Sequence, residues 1–214
     1  MRVVIAGGHG KIALLLARLL VTRGDRPVGV VRNPDHVADV EATGAEALVL
    51  DLERTDVERL AGGLDGADAV VFAAGGGPGS GAARKETVDK GAAILLADAA
   101  ERAGVRRYLM VSAMGTERAD PSSDDVFQVY LRAKQAADDD LRARDLDWTV
   151  VRPGRLTDDP GTGRVRVGTL ERGDIPRADV AAVLAGCLDS PATVRRTFDV
   201  LGGDVPVDEA LAGL

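Results

Sequence analysis

Short apolar, β-branched runs alternate with helix-forming stretches along the whole chain, and this alternation restricts the fold more than any other feature. The first run, Val3-Val4-Ile5, is continuous, as suits a strand buried on both faces. Similar runs follow at Pro27–Val31, Glu46–Leu52, Asp68–Gly75, Arg106–Gly115 and Leu146–Gly154, with a last strand expected at Arg196–Gly203. Helical stretches lie between them at Lys11–Leu20, Pro34–Gly44, Asp56–Leu64, Lys85–Gly104, Phe127–Asp145 and Arg177–Asp189. Gly44 and Gly104 stand where helices would close. Strand then helix, repeated, predicts an α/β fold with a doubly wound parallel sheet and helices on both faces. No repeat or linker divides the chain, so residues 1–214 are expected to form a single domain. Ala73–Arg84 and Thr116–Asp125 read as mobile surface loops at the carboxyl ends of strands, where open α/β sheets bind ligands.

Composition narrows the function. A net charge of −7 disfavours nonspecific binding of nucleic acid and attraction to acidic membranes. No apolar stretch reaches membrane-spanning length, and the first strand begins before a signal peptide could fit, so a cytoplasmic location is expected. The single Cys187 sits in an apolar stretch and reads as a small buried hydrophobe. With only His9 and His36, a histidine-rich metal site is not expected.

Gly7-Gly8-His9-Gly10 joins the first strand to the first helix. With Ala13 it satisfies G-x-G-x-x-A from Gly8 and, equally, G-x-x-G-x-x-A from Gly7. One glycine in such a loop permits positive φ, and one lets the backbone approach a pyrophosphate. The helix start at Lys11 and Ile12 then offers free N–H groups and a positive dipole end to an anion. Arg32 and Asn33 end strand two, where NAD-binding domains usually carry an acid for the ribose hydroxyls. A guanidinium there favours the 2′-phosphate of NADP, with no carboxylate expected nearby to repel it, and NAD is less favoured. Asp51 and Leu52 end strand three, where Asp51 could flank the adenine or cap the following turn.

Tyr130 and Lys134 form Y-x-x-x-K, one helical turn apart, in a chain with two tyrosines and lysines only at 11, 85, 90 and 134. Lys134 is expected to share its face with Tyr130, Ala137 and Leu141 rather than with Asp138. A partly desolvated ammonium beside a phenol would favour the phenolate and ease proton transfer. Ser112, at the end of strand five, is expected on the same rim.

The glycine loop, "VRNP", "VVFAAG", "VDKG", Ser112, Tyr130/Lys134 and "VRPGRLTDDPGTG" together resemble the atypical short-chain dehydrogenase/reductases. More narrowly they resemble the small NAD(P)H-binding group related to biliverdin/flavin reductase. The resemblance implies a Rossmann fold with Gly7, Gly10, Arg32, Asp51 and Ala74 near the dinucleotide, flanked by Ala73 and Gly75. It also implies that Ser112 orients a substrate, Tyr130 donates a proton, and Lys134 holds Tyr130 and the nicotinamide ribose. Pro153 and Gly154 would lie beside the nicotinamide. The chain beyond strand six is a small substrate-side segment, shorter than that of relatives acting on nucleotide sugars, which favours a compact acceptor. The expectation is an NADPH-dependent reductase of a small carbonyl, quinone or flavin-like molecule. The competing class is a noncatalytic NADP(H)-binding redox regulator. Monomer and homodimer both remain open.

Overall fold

The computed structural model describes residues 1–77 and 79–214. β1 (Arg2–Ala6) runs through its middle, buried from Val3 onward. Its alternate side chains serve two cores. Val3 and Ile5 join Leu16, Leu20 and Leu184 on one face of the sheet, while Val4 and Ala6 join Leu60, Phe72 and Leu96 on the other. Burial of both faces explains why the strand is a continuous apolar run instead of an alternating one.

The other strands are β2 (Arg26–Val31), β3 (Glu46–Val49), β4 (Ala69–Phe72), β5 (Arg107–Val111), β6 (Asp147–Pro153), β7 (Arg155–Thr157), β8 (Arg164–Gly168), β9 (Asp174–Pro176), β10 (Arg196–Gly202) and β11 (Val205–Pro206). Nine form one sheet in the order β11-β8-β10-β6-β5-β4-β1-β2-β3, and β7 pairs with β9 separately. From β3 across to β10 every pairing is parallel; β8 is antiparallel to both its neighbours. The predicted doubly wound fold is therefore present, a Rossmann arrangement with a mixed edge. Strand order reverses between β1 and β4, which opens a crevice beyond their carboxyl ends.

α1 (Lys11–Thr22) and α7 (Arg177–Asp189) cover one face; α3 (Val57–Gly63), α5 (Ala93–Ala103) and α6 (Val126–Arg142) cover the other. α5 ends as expected at Gly104, whose φ of +72° lets the Val105 N–H return to the Ala100 carbonyl. Among the described residues no helix is long and apolar enough to cross a membrane. Cys187 is buried in α7, and burial pushes its thiol up to about 12.

Three expectations need correction. The helix expected at Lys85–Gly104 begins with α4 (Ala82–Arg84), passes through a π-helix over Lys85–Ala92, and becomes regular only in α5. The stretch Pro34–Gly44 is a short turn of 3₁₀ helix followed by α2 (Val37–Glu41). Beyond β6 the chain forms five strands where one was expected. β7, β9 and β11 are too short to show a period, and β8 alternates arginine with valine at the mixed edge of the sheet. Pro78, inside the first expected loop, lies outside the described residues.

Candidate active site

Strands β1 to β4 stop early enough to leave Gly7, Arg32, Asp51 and Ala73 in loops around one cavity of about 430 Å³. His9, Gly10, Asn33, Leu52, Ala74 and Gly75 complete its wall among the expected residues. Gly7 has φ +81°, and a Cβ there would stand 2.6 Å from the Ala74 Cα. Gly8 does not face the cavity. A Cβ on Gly8 would meet the Gly29 Cα at 2.5 Å, so it is glycine in order to let the loop pack on β2. The two motif spacings thus resolve in favour of Gly7, Gly10 and Ala13. Ala13 is fully buried, which lets α1 lie close on the sheet.

α1 starts at Gly10 with no side-chain cap and no acidic residue in its first turn. Its first internal bond is Leu14 N–H to the Gly10 carbonyl, so the N–H groups of Lys11, Ile12 and Ala13 have no partner within the helix. Such a terminus fits a pyrophosphate. The side chains of Lys11 and Ile12 lie outside the cavity wall; the Lys11 ammonium pairs with Asp158 at 2.5 Å. Asp51 accepts the Glu53 N–H at 3.0 Å, so it caps its turn while lining the cavity.

Arg32 does have a carboxylate beside it, contrary to expectation. Glu53 accepts from Arg32 at 3.1 Å, and Arg84 reaches the same carboxylate at 2.9 Å. Both Glu53 and Arg84 line the cavity, and the sequence reading missed both. The available signal was that Glu53 follows Asp51 by two residues at the end of β3, just as Arg32 follows β2.

A second cavity of about 860 Å³ opens beyond β5 and β6. Pro153, Gly154 and Tyr130 line it, together with Met114, Phe127 and Leu156. Arg118, Arg155, Arg172 and Arg177 also stand on its wall. Arg155 and Leu156 come from β7, and Arg172 from the turn before β9, elements too short to announce themselves. A Cβ on Gly154 would lie 2.3 Å from the Gly173 carbonyl, so the end of β6 rests directly on that segment.

Lys134 lines neither cavity but donates to the carbonyl of Ala74, which lines the first, while its neighbour one turn earlier, Tyr130, lines the second. Only 3% exposed, it donates to the carbonyls of Val111 at 3.1 Å and Ala74 at 3.5 Å, and pairs with Asp89 at 3.5 Å. Asp89, on the π-helix, in turn accepts the Gly76 N–H. Burial pulls the Lys134 ammonium below its usual range, against the opposing pull of Asp89 and Asp138. The phenol of half-buried Tyr130 is pushed above its usual range, first by burial and then by Asp89 and Asp138. The expected shift toward phenolate is therefore reversed: burial first, and then the two carboxylates, favour the neutral phenol at Tyr130. Lys85, not Lys134, stands over the Tyr130 ring, at 5.4 Å from its centre.

Asp138 also departs from expectation, since it is fully buried on the inner side of α6. It accepts from Arg152 at 3.0 and 3.2 Å and from the Ser112 hydroxyl at 2.9 Å. Ser112 is itself buried and lines neither cavity. Its hydroxyl fastens β5 to α6 in place of facing a ligand.

Residues 7–191 match a protein family described as NAD(P)H-binding. The chain belongs to this NAD(P)H-binding family. It is 38% identical to the uncharacterized sugar epimerase YhfK of Bacillus subtilis, over all of both chains. A solved structure from Bacillus halodurans, provisionally described as an NAD-dependent epimerase/dehydratase, is 38% identical with a TM-score of 0.93, each chain covered in full. The oxidoreductase ylbE of Lactococcus lactis is 26% identical with a TM-score of 0.89, covering 100% of this chain and 96% of its own. The unpaired N–H groups at the start of α1 and the close approach at Gly7 agree with the family's dinucleotide.

Proposed function

We propose that the protein is an NADPH-dependent oxidoreductase that reduces a small carbonyl, quinone or flavin-like acceptor in the second cavity. The observation that carries this reading is the Tyr130–Lys134 turn, with a phenol on the second cavity and a buried ammonium bonded to Ala74, which lines the first. When bound, NADPH supplies the hydride. Gly7, Gly10 and the first turn of α1 hold its pyrophosphate, Arg32 faces its 2′-phosphate, and Lys134 holds the nicotinamide ribose. Pro153 and Gly154 flank the nicotinamide. As negative charge develops on the acceptor oxygen, Tyr130 donates its proton there, a role for which a phenol kept protonated at neutral pH is suited. Ser112 acts indirectly, steadying α6 through Asp138.

Tyr130→Phe removes that proton and leaves the ring in place. It should spare NADPH binding and lower turnover by about 10²–10⁴-fold. The test is a stopped-flow NADPH-oxidation screen against quinones, flavins and small aldehydes, native protein beside the variant. No acceptor reduced by the native protein would favour a noncatalytic NADP(H)-dependent regulator, and equal rates in both proteins would remove Tyr130 from the chemistry. The relative named as a sugar epimerase suggests another outcome. An epimerase returns its hydride to the same molecule, so conversion of a nucleotide sugar without net loss of cofactor would replace the reductase reading.

A further inference from the structure

Glu53 is held as a bound anion would be. Its Oε2 accepts from Arg32 at 3.1 Å and Arg84 at 2.9 Å, and its Oε1 accepts the Thr87 hydroxyl at 2.7 Å. These donors come from three places: the end of β2, α4, and the first turn of the π-helix. Two guanidiniums thus converge on one carboxylate on the wall of the first cavity, where the remaining charged residue, Asp51, is turned to capping its own loop. The Arg84 Nε is buried with no hydrogen-bond partner, so the cluster holds a donor that Glu53 does not use. A guanidinium fork matches a phosphate better than it needs a single carboxylate oxygen.

We propose that Arg32 and Arg84 together form the site for the 2′-phosphate of NADPH, and that Glu53 is an internal stand-in that occupies it until the dinucleotide arrives. This rests on the reading of Arg32 as facing that phosphate. The phosphate competes with Glu53 for the two guanidiniums, while Thr87 retains the carboxylate by its other oxygen. NADH has no group to enter the cluster and leaves it intact. Hydrogen bonding from Thr87, with the charges of Arg84 and Arg32, holds the Glu53 carboxyl below its usual range despite partial burial. The competitor is thus charged throughout the neutral range. Preference for NADPH is set by a difference: two arginines in favour, one glutamate against.

The test is calorimetric binding of NADPH and NADH, and of the adenosine probes 2′,5′-ADP and 5′-AMP, to native protein and to Arg32→Ala, Arg84→Ala and Glu53→Gln. Glu53→Gln should bind NADPH and 2′,5′-ADP roughly tenfold tighter and leave NADH and 5′-AMP unchanged. Arg84→Ala should weaken the two phosphorylated ligands by a similar factor and again spare the others. Two results overturn the proposal while leaving Arg32 in its role: Arg84→Ala without effect, or Glu53→Gln that weakens NADH, which would make Glu53 a ribose acceptor. If native protein binds NADPH and NADH equally and Arg32→Ala changes neither, both the proposal and the reading beneath it fail.

Discussion

Gly8 and Gly10 stand two residues apart and are glycine for different reasons. A side chain on Gly8 would press into the backbone of Gly29, whereas Gly10 has φ −63°, a conformation any residue adopts, borders the first cavity, and would set a Cβ 3.1 Å from the Gly7 carbonyl oxygen. Gly8→Ala is therefore expected to lower stability by about 1–3 kcal/mol, read by urea denaturation. Gly10→Val should lower stability by about 1 kcal/mol, less than Gly8→Ala, and abolish NADPH binding, read by calorimetry. Retained NADPH affinity in folded Gly10→Val would refute the phosphate-loop role. In sequence the two glycines are indistinguishable, because the distinction depends on how close a neighbouring strand comes. The same holds for Ser112: its place at the end of a strand was legible, but the direction of its hydroxyl depends on Asp138, which follows it by a loop and most of a helix.

The π-helix decides what surrounds Lys134. A π turn widens the helix locally and often marks a functional site, and here it carries Asp89 to the Lys134 ammonium and Lys85 to the Tyr130 ring. The spacing of Tyr130 and Lys134 was readable from helical period alone. Their partners were not, since a π turn breaks the register by which a sequence announces its inner face. Lys134→Met should leave Asp89 buried and unpaired, lowering stability by about 3–5 kcal/mol. Asp89→Asn together with Lys134→Met should recover much of that loss, because no buried charge is then stranded. Chemical denaturation of both single variants and the double variant checks this; strictly additive effects would mean that the pair does not interact.

At the scale of the whole molecule, stability should depend on pH mainly through paired carboxylates. Hydrogen bonds from Thr87 to Glu53, Arg195 to Asp145, Lys11 to Asp158 and Arg155 to Asp174 hold these groups below their ordinary values of 4.5 for Glu and 3.8 for Asp. The stability they contribute is present above those values and is lost as pH falls through the lower native ones. Asp138 has the opposite sign: burial raises it, so its contribution is greatest below 3.8 and is lost as pH rises through its native value. The urea midpoint should accordingly stay nearly level from pH 7 to about 5 and fall below about 4 as the paired carboxylates dominate; a midpoint rising on acidification would contradict this. The fold itself was largely legible, because strands buried on two faces and helices closed by glycine leave strong local signatures. The second cavity was only partly legible, because one side of it is made by three-residue strands and the turn leading into the second of them. Its wall nevertheless has a simple genetic layout. Every residue bordering the first cavity lies between Gly7 and Val88, and every one bordering the second between Ala113 and Arg177. The two cavities occupy consecutive, non-interleaved lengths of one coding sequence. A single recombination between them can therefore exchange one pocket while the other is inherited whole, with Lys134, reaching back to the Ala74 carbonyl, as the joint that any such exchange must keep.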